Sequence, residues 1–279
     1  MLSAALPQAV LPPPPIEAPG GGAISLLLDI DGTLIEHKAH PDDAVADEAL
    51  RRLIASAYAA AGGALAFVTG RSVAMADSMF APLEVPVAGL YGLEHRLEVG
   101  GPIVVADEPA DLTLVADEMQ RHFQDVEGVH FERKGAVLAV HTRAAPAVFP
   151  EVRKSAEQAL ARLSGRYRIL AGNAGLEFVP LEAVKSAAIA RLMEQPAFRG
   201  RTPFFLGDDT SDEAGFEHVR DVGGVAVLVG RPRPTAAEFQ LPDVAAVHRW
   251  LSAVVERATS RSGDQRQSGP AGAGEHRKE

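Results

Sequence analysis

Two aspartates, Asp29 and Asp31, close the stretch Leu26-Leu27-Leu28-Asp29-Ile30-Asp31-Gly32-Thr33-Leu34, at the end of an apolar run. Side chains two apart on a strand share a face, so the two carboxylates stand together. Like charges that close resist full ionisation unless a cation or a shared proton compensates. A structural strand end gains nothing from the arrangement, whereas a metal-assisted phosphoryl-transfer site needs it. Gly32-Thr33 then allows a sharp exit and brings backbone N–H groups near an anion.

Three further positions could join that chemistry. Thr69 ends a second apolar run, Lys185 stands near a helix start, and Gly207-Asp208-Asp209-Thr210-Ser211-Asp212 is an acidic cluster after a third run. Each has a plainer reading. Thr69 can cap the following helix, and the acidic cluster can serve a helix N-terminus. In a parallel sheet, however, all of them reach one edge. Mg²⁺ takes hard oxygen ligands, a few of them carboxylates, and Asp29 and Asp208 can supply these. Thr69 and Lys185 would then donate to non-bridging phosphate oxygens. That leaves Asp29 to attack phosphorus and Asp31 to protonate the leaving oxygen and later deprotonate water.

The elements that must position these residues are legible as an alternation of strands and helices. Residues 24–30 and 64–68 are continuous apolar runs, as in strands buried on both faces. Between them a helix passes through Leu50, Leu53, Ile54 and Ala57, capped by Asp43 or a neighbour and ended by Gly62-Gly63. A further helix and a short strand at 85–90 follow. This order predicts a doubly wound parallel sheet, an α/β core. The middle differs: strands at 103–105, 129–132, 136–142, 168–170 and 176–179 alternate with helices at 111–126 and 146–163. Turn signals at Gly100-Gly101 and Asn173-Ala174-Gly175 join neighbours in hairpins. The pattern predicts an inserted α+β cap. After it come a helix from Lys185, a strand at 203–207, a helix at 211–219, a strand at 225–229 and a last helix at 244–257.

The expected domains are a core of 23–105 and 180–258, a cap of 106–179, a disordered leader over 1–22 and a disordered tail over 259–279. The leader carries Pro12-Pro13-Pro14-Pro15 and Gly20-Gly21-Gly22 but no basic signal region.

Composition narrows the function. The 279 residues carry a formal net charge of −10, which argues against a broad nucleic-acid footprint. With no cysteine, thiol nucleophiles, disulfides and zinc-thiolate sites are excluded. No apolar run is long enough to span a bilayer, and the chain is expected in the cytoplasm without a membrane partner. Nothing in the residues speaks to oligomeric state. The nine histidines form no zinc-type spacing.

Taken together, Asp29-Ile30-Asp31-Gly32-Thr33-Leu34, Thr69-Gly70-Arg71, Lys185 and Gly207-Asp208-Asp209 resemble the four motifs of the haloacid dehalogenase superfamily of phosphatases. More narrowly, the chain resembles the trehalose-6-phosphate phosphatases over residues 26 to about 255. The supporting motifs are Ala88-Gly89-Leu90-Tyr91-Gly92-Leu93-Glu94, Glu132-Arg133-Lys134-Gly135, His141-Thr142-Arg143, Leu176-Glu177-Phe178-Val179-Pro180 and Gly207-to-Glu213. The resemblance implies a core with an α+β cap, Mg²⁺ dependence, an aspartyl-phosphate intermediate and a sugar phosphate as the small-molecule partner. Carried over residue by residue, Asp29 is the nucleophile and Asp31 the acid/base, which also ligates metal through its carbonyl. Thr69 and Lys185 hold the phosphoryl group, and Asp208 binds Mg²⁺ with Asp209 and Asp212 as supporting carboxylates. Arg71, Glu94, Glu132, Lys134, His141 and Glu177 are candidates for substrate contact. The chain departs from the family pattern at Tyr91, often His there, at Val179, often basic, at Ser211, often Thr, and around Lys185. Glu132 and Lys134 also fit an exposed ion pair of small energetic value.

Overall fold

In the computed structural model, which describes residues 10–37, 44–172 and 175–267, the chain forms two sheets with helices packed on them. The larger sheet begins with β1, Ile24–Leu28, whose Leu26, Leu27 and Leu28 are fully buried because the strand is covered on both faces. Helix α1, Glu48–Ala60, follows. Its cap is Asp47, whose carboxylate accepts from Leu50 N–H at 2.7 Å; Asp43 lies outside the described residues. Leu50, Ile54 and Ala57 recur on one buried face of α1. Strand β2, Leu65–Val68, helix α2, Val73–Phe80, with Ser72 as its cap, and strand β3, Val87–Gly89, complete the first half.

The chain then departs from a purely parallel pattern. Strands β4, Glu94–Arg96, and β5, Val104–Val105, run antiparallel at the edge of the same sheet. A three-residue strand beside a tight turn is too short for its period to show in sequence.

Residues 110–180 form the second unit: helix α3, Ala110–His122, strands β6, His130–Lys134, and β7, Val137–His141, helix α4, Phe149–Leu160, and strands β8, Tyr167–Gly172, and β9, Gly175–Pro180. Their sheet order is β6-β7-β9-β8, with every pair antiparallel. Leu138, Val140, Leu176 and Phe178 pack beneath α3 and α4 with Leu112, Val115 and Val152. Alternation sends Glu132, Lys134, Ala139, His141 and Glu177 to the opposite face.

Helix α5, Lys185–Met193, returns the chain to the core. Strand β10, Thr202–Gly207, helix α6, Glu213–Asp221, strands β11, Val225–Val229, and β12, Phe239–Leu241, and helix α7, Val244–Gln267, complete it. The large sheet has the order β12-β11-β10-β1-β2-β3-β4-β5. Strands β12 to β3 pair in parallel, so β10, β1 and β2 end side by side. That edge is where ligands bind in doubly wound sheets. Helix α1 packs beside α7, and α5 beside α6. No helix among the described residues is long and apolar enough to cross a membrane.

Both expected disordered ends are corrected in part. Residues 10–18 lie along edge strand β12 and helix α7. Gln240 N–H donates to Pro12 O at 2.9 Å, Leu11 N–H donates to Gln240 Oε1 at 3.1 Å, and Trp250 Nε1 donates to Pro15 O at 3.1 Å. Prolines lack a donor but keep an acceptor, so a proline segment covers a sheet edge without extending it. Helix α7 continues to Gln267, ten residues past the expected end at 257. Glu17 explains part of this, since Arg257 and Arg261, one turn apart, both bond to it. Deleting residues 1–18 should lower stability by about 2–4 kcal/mol, through three lost hydrogen bonds and the buried Ala18. Urea denaturation checks this, and an unchanged midpoint would mean the segment is only resting on the surface.

Candidate active site

At the shared end of β10, β1 and β2 the structure brings together four of the expected residues. Asp29 follows β1 and its N–H bonds to Leu206 O of β10 at 3.0 Å. Lys185 opens α5, where a cation opposes the helix dipole. Its Nζ instead reaches across the sheet edge, donating to Asp29 Oδ1 at 2.8 Å and Asp212 Oδ1 at 2.5 Å. Lys185 and Asp212 are buried completely or nearly so, and Asp29 is 5% exposed. Asp212 Oδ2 accepts from Asp208 N–H at 3.0 Å and Asp209 N–H at 2.9 Å, closing the turn after β10. Gly207 is needed for that closure, since a Cβ there would lie 2.4 Å from the Asp212 carboxyl carbon. Gly32 is needed for a second reason. It sits at φ +76°, and its Cβ would meet Asp208 Oδ2 at 2.1 Å.

The electrostatics are unbalanced. Asp29, Asp208 and Asp212 each offer an oxygen within 4.8 Å of the others. Burial pushes the Asp29 carboxyl well above the usual carboxylate range; Asp212 and Asp208 push the same way, and Lys185 opposes them. Burial also raises Asp208, with its neighbour Asp212 adding to this and His37 opposing. For Lys185, burial pulls the ammonium down, but Asp212 and Asp29 more than offset it, so the group is held above its ordinary value. The buried carboxylates of Asp29 and Asp212 thus share one ammonium, with the half-buried Asp208 beside them. Asp208 Oδ1 is buried with no hydrogen-bond partner. An orphaned oxygen beside the carboxylates of Asp29 and Asp212 suits a hard divalent cation such as Mg²⁺.

The remaining expected residues are distributed around this centre. Thr69 is 1% exposed at the end of β2, and its Oγ accepts from Arg71 N–H at 3.1 Å. Asp31 stands outside the carboxylate cluster: Arg71 grips it with two bonds of 2.7 Å, Nε to Oδ2 and Nη2 to Oδ1. Arg71, expected at the substrate, is therefore engaged with the neighbouring acid. Asp209 also stands apart, because its Oδ1 accepts from its own turn at Thr210 N–H, 2.7 Å away. Glu94 lies in the core, 9% exposed, and accepts from Val73 N–H at the start of α2 at 3.2 Å.

Glu132, Lys134, His141 and Glu177 do come together on the open face of the second sheet. Lys134 Nζ lies 3.3 Å from Glu132 and 3.4 Å from Glu177, while His141 Nε2 is 2.9 Å from Glu132. Ala139 is the register partner of both Glu132 and Glu177, and its small side chain leaves the acids room to share Lys134. A cleft of about 800 Å³ separates this face from the core, lined among others by His141, Glu177, Tyr91, Asp209 and Ser211.

Motif reasoning missed two neighbours. His37 Nε2 is 2.9 Å from Asp208 Oδ2, and nothing in its local sequence marks it. Arg233, in the loop after β11, bonds to Glu213 and to the carbonyls of Asp209 at 2.8 Å and Asp208 at 3.3 Å. The signal for Arg233 was only its place after an apolar strand.

The chain path itself is one already seen. A haloacid dehalogenase-like hydrolase from Bacteroides thetaiotaomicron superposes with a TM-score of 0.63 at 15% identity, over 84% of this chain and 100% of that one. The fold is therefore that of the haloacid dehalogenase-type hydrolases. A family model described as Trehalose-phosphatase matches residues 27–245. A "Probable trehalose-phosphate phosphatase" of Sinorhizobium fredii is 36% identical over 231 residues, 82% of this chain and 87% of its own. The trehalose-6-phosphate phosphatase of Escherichia coli is 32% identical over 242 residues, 85% of this chain and 90% of its own. The chain belongs to the trehalose-phosphatase family of phosphoric monoester hydrolases.

Removing Lys185 tests the charge balance. Lys185→Ala, measured in urea with EDTA present, should lose about 3–5 kcal/mol at neutral pH because Asp29 and Asp212 lose their counter-ion. An acid whose folded pKa is raised costs stability once pH exceeds its unfolded value near 4, so the deficit should grow from pH 4.5 to pH 7.5. A deficit that shrinks over that range would contradict the account.

Proposed function

We propose that the chain hydrolyses trehalose 6-phosphate to trehalose and inorganic phosphate, with Mg²⁺ as its divalent ion. The observation that carries the reading is Asp29, buried at the end of β1 and held by Lys185 at 2.8 Å through Oδ1 only. The other oxygen of Asp29 is left to attack phosphorus, forming an aspartyl phosphate as the bond to the sugar oxygen breaks. Asp31 gives its proton to that oxygen, then takes one from the water that cleaves the acyl phosphate, so the cycle ends where it began. Thr69 and Lys185 hold the non-bridging oxygens, and Lys185 offsets the charge developing there.

Asp29, Asp208 and the carbonyl of Asp31 would hold Mg²⁺, with Asp212 as a supporting carboxylate; the Asp209 carboxylate serves its own turn instead. The bound ion supplies charge neutralisation between the acids and the phosphoryl oxygens. Arg71 keeps the Asp31 carboxylate beside the reaction centre. Glu132, Lys134, His141 and Glu177 face the cleft side of the cap and are suited to sugar hydroxyls, whereas Glu94 anchors the start of α2 within the core. Enclosing the ester between cap and core excludes bulk water from the acyl phosphate until the sugar has left.

Phosphate release from a panel of esters tests this: trehalose 6-phosphate, sucrose 6-phosphate, glucosyl- and mannosyl-glycerate phosphates. Trehalose 6-phosphate should exceed the others by at least about tenfold in kcat/KM, a difference of roughly 1.4 kcal/mol. EDTA should abolish release and Mg²⁺ restore it. Asp29→Asn should cut turnover by at least about a thousandfold with the circular dichroism spectrum retained. Turnover near the parent rate would remove Asp29 from its role, and a different preferred ester would reassign the sugar.

A further inference from the structure

Strand β3 ends at Gly89, and the next two residues, Leu90 at φ 48° and Tyr91 at φ 59°, ψ 26°, lie in the left-handed region. Neither is glycine, and two successive side-chain-bearing residues rarely adopt this conformation. The strain is held by the adjoining loop: Leu90 N–H donates to Arg71 O at 3.0 Å and Tyr91 N–H to Thr69 O at 3.2 Å. The turn is therefore tied to the Thr69-Gly70-Arg71 loop at both ends.

What the strain positions is the phenol. The Tyr91 ring lies against Gly70, where a Cβ would come within 3.0 Å of both Cζ and the phenol oxygen. Glycine at 70 gives the ring its place beside the residue that ends β2. The phenol also lines the cleft, on the core side, opposite Glu177. Burial raises its pKa, and the charge of Glu177 adds to this, so the hydroxyl stays protonated. Tyr91 also packs against Val137 and Val179 of the second sheet, so it stands between the Thr69-Gly70-Arg71 loop and the cap. Among the described residues no hydrogen bond of the hydroxyl is seen, and Tyr91 is half-buried at the cleft.

We propose that the Tyr91 hydroxyl is a substrate-binding group that hydrogen-bonds the sugar ring carrying the phosphate, next to the ester oxygen. This rests on the sugar-phosphatase reading above and adds to it a residue on the core side of the cleft. Tyr91 discriminates esters of a hydroxylated ring from esters of alcohols with no hydroxyl beside the phosphate. It does so from the core, independently of the cap residues, because its backbone is tied to the phosphate loop.

Tyr91→Phe removes only the oxygen, and the ring still fills the space over Gly70. With purified full-length chain and Mg²⁺, kcat and KM are measured for trehalose 6-phosphate and for p-nitrophenyl phosphate. The ratio of the two kcat/KM values should drop about five- to tenfold, through KM for the sugar ester, as expected for one lost neutral hydrogen bond. A structural role would lower both values together and leave the ratio in place. An unchanged ratio, with the parent hydrolysing the sugar ester, overturns the role of Tyr91 and leaves the sugar-phosphatase reading standing. If the parent releases phosphate from p-nitrophenyl phosphate but from no sugar ester in the panel, both fall.

Discussion

Two buried carboxylates, Asp29 and Asp212, sharing a single ammonium, with the half-buried Asp208 beside them, impose the constraint around which the core is arranged. Two unit charges 4 Å apart interact by about 4 kcal/mol at an effective dielectric constant near 20. One lysine between two such groups, with Asp208 as a third acid nearby, leaves an excess of negative charge, and burial of Asp29 makes this more costly. Only a framework held elsewhere can sustain it. The framework is the parallel sheet, whose strands β10, β1 and β2 carry Phe204, Phe205, Leu26, Leu27, Leu28 and Phe67 with almost no exposure. The apolar strands stabilise, and their ends carry the polar chemistry that a stable core would otherwise avoid.

The cap solves a different problem. Its charged face is partly solvated, and exposed ion pairs such as those of Lys134 contribute little to stability. The face is kept together instead by the apolar face behind it, where Leu138 and Phe178 are fully buried. Strand alternation allows the two faces to answer to different demands. Glu132, Lys134 and Glu177 satisfy one another, so under the proposed function a sugar hydroxyl competes with pairs already formed. Such a surface favours ligands that match several of its groups at once over ligands that match one.

The core was legible because its chemistry lies at strand ends, and a parallel sheet turns strand ends into neighbours. Asp29, Thr69 and Asp208 needed only the apolar runs before them to be placed on one edge. Lys185 was marked by its spacing in the family pattern alone, and its partners across the sheet edge explain a cation where the helix dipole disfavours one. Partnerships were not legible. That Arg71 grips Asp31, and that Glu94 serves Val73 N–H, depend on side-chain reach across turns. The proline segment and the polar end of α7 read as loose by composition, yet each supplies what the other lacks. Pro12 and Pro15 offer carbonyls to Gln240 and Trp250, and Glu17 offers a carboxylate to two arginines of α7. Composition counts what a segment contains and is blind to such complementarity.

Asp212 shows how the acidic cluster divides its work. Its Oδ1 is occupied by Lys185 and its Oδ2 by two backbone N–H groups, with no exposure to solvent. Both oxygens therefore already carry strong, charge-assisted bonds, and giving one up would leave a buried donor unpaired. Asp208 is in the opposite condition, with Oδ1 buried and unpartnered. Under the proposed function, the two acids accordingly differ in role although four residues separate them. Asp208 has an oxygen to offer a cation, while Asp212 fixes both the lysine and the turn that aims Asp208. An acid-rich motif after a strand is thus one ligand and its support, and the hydrogen bonds each oxygen already makes tell which is which.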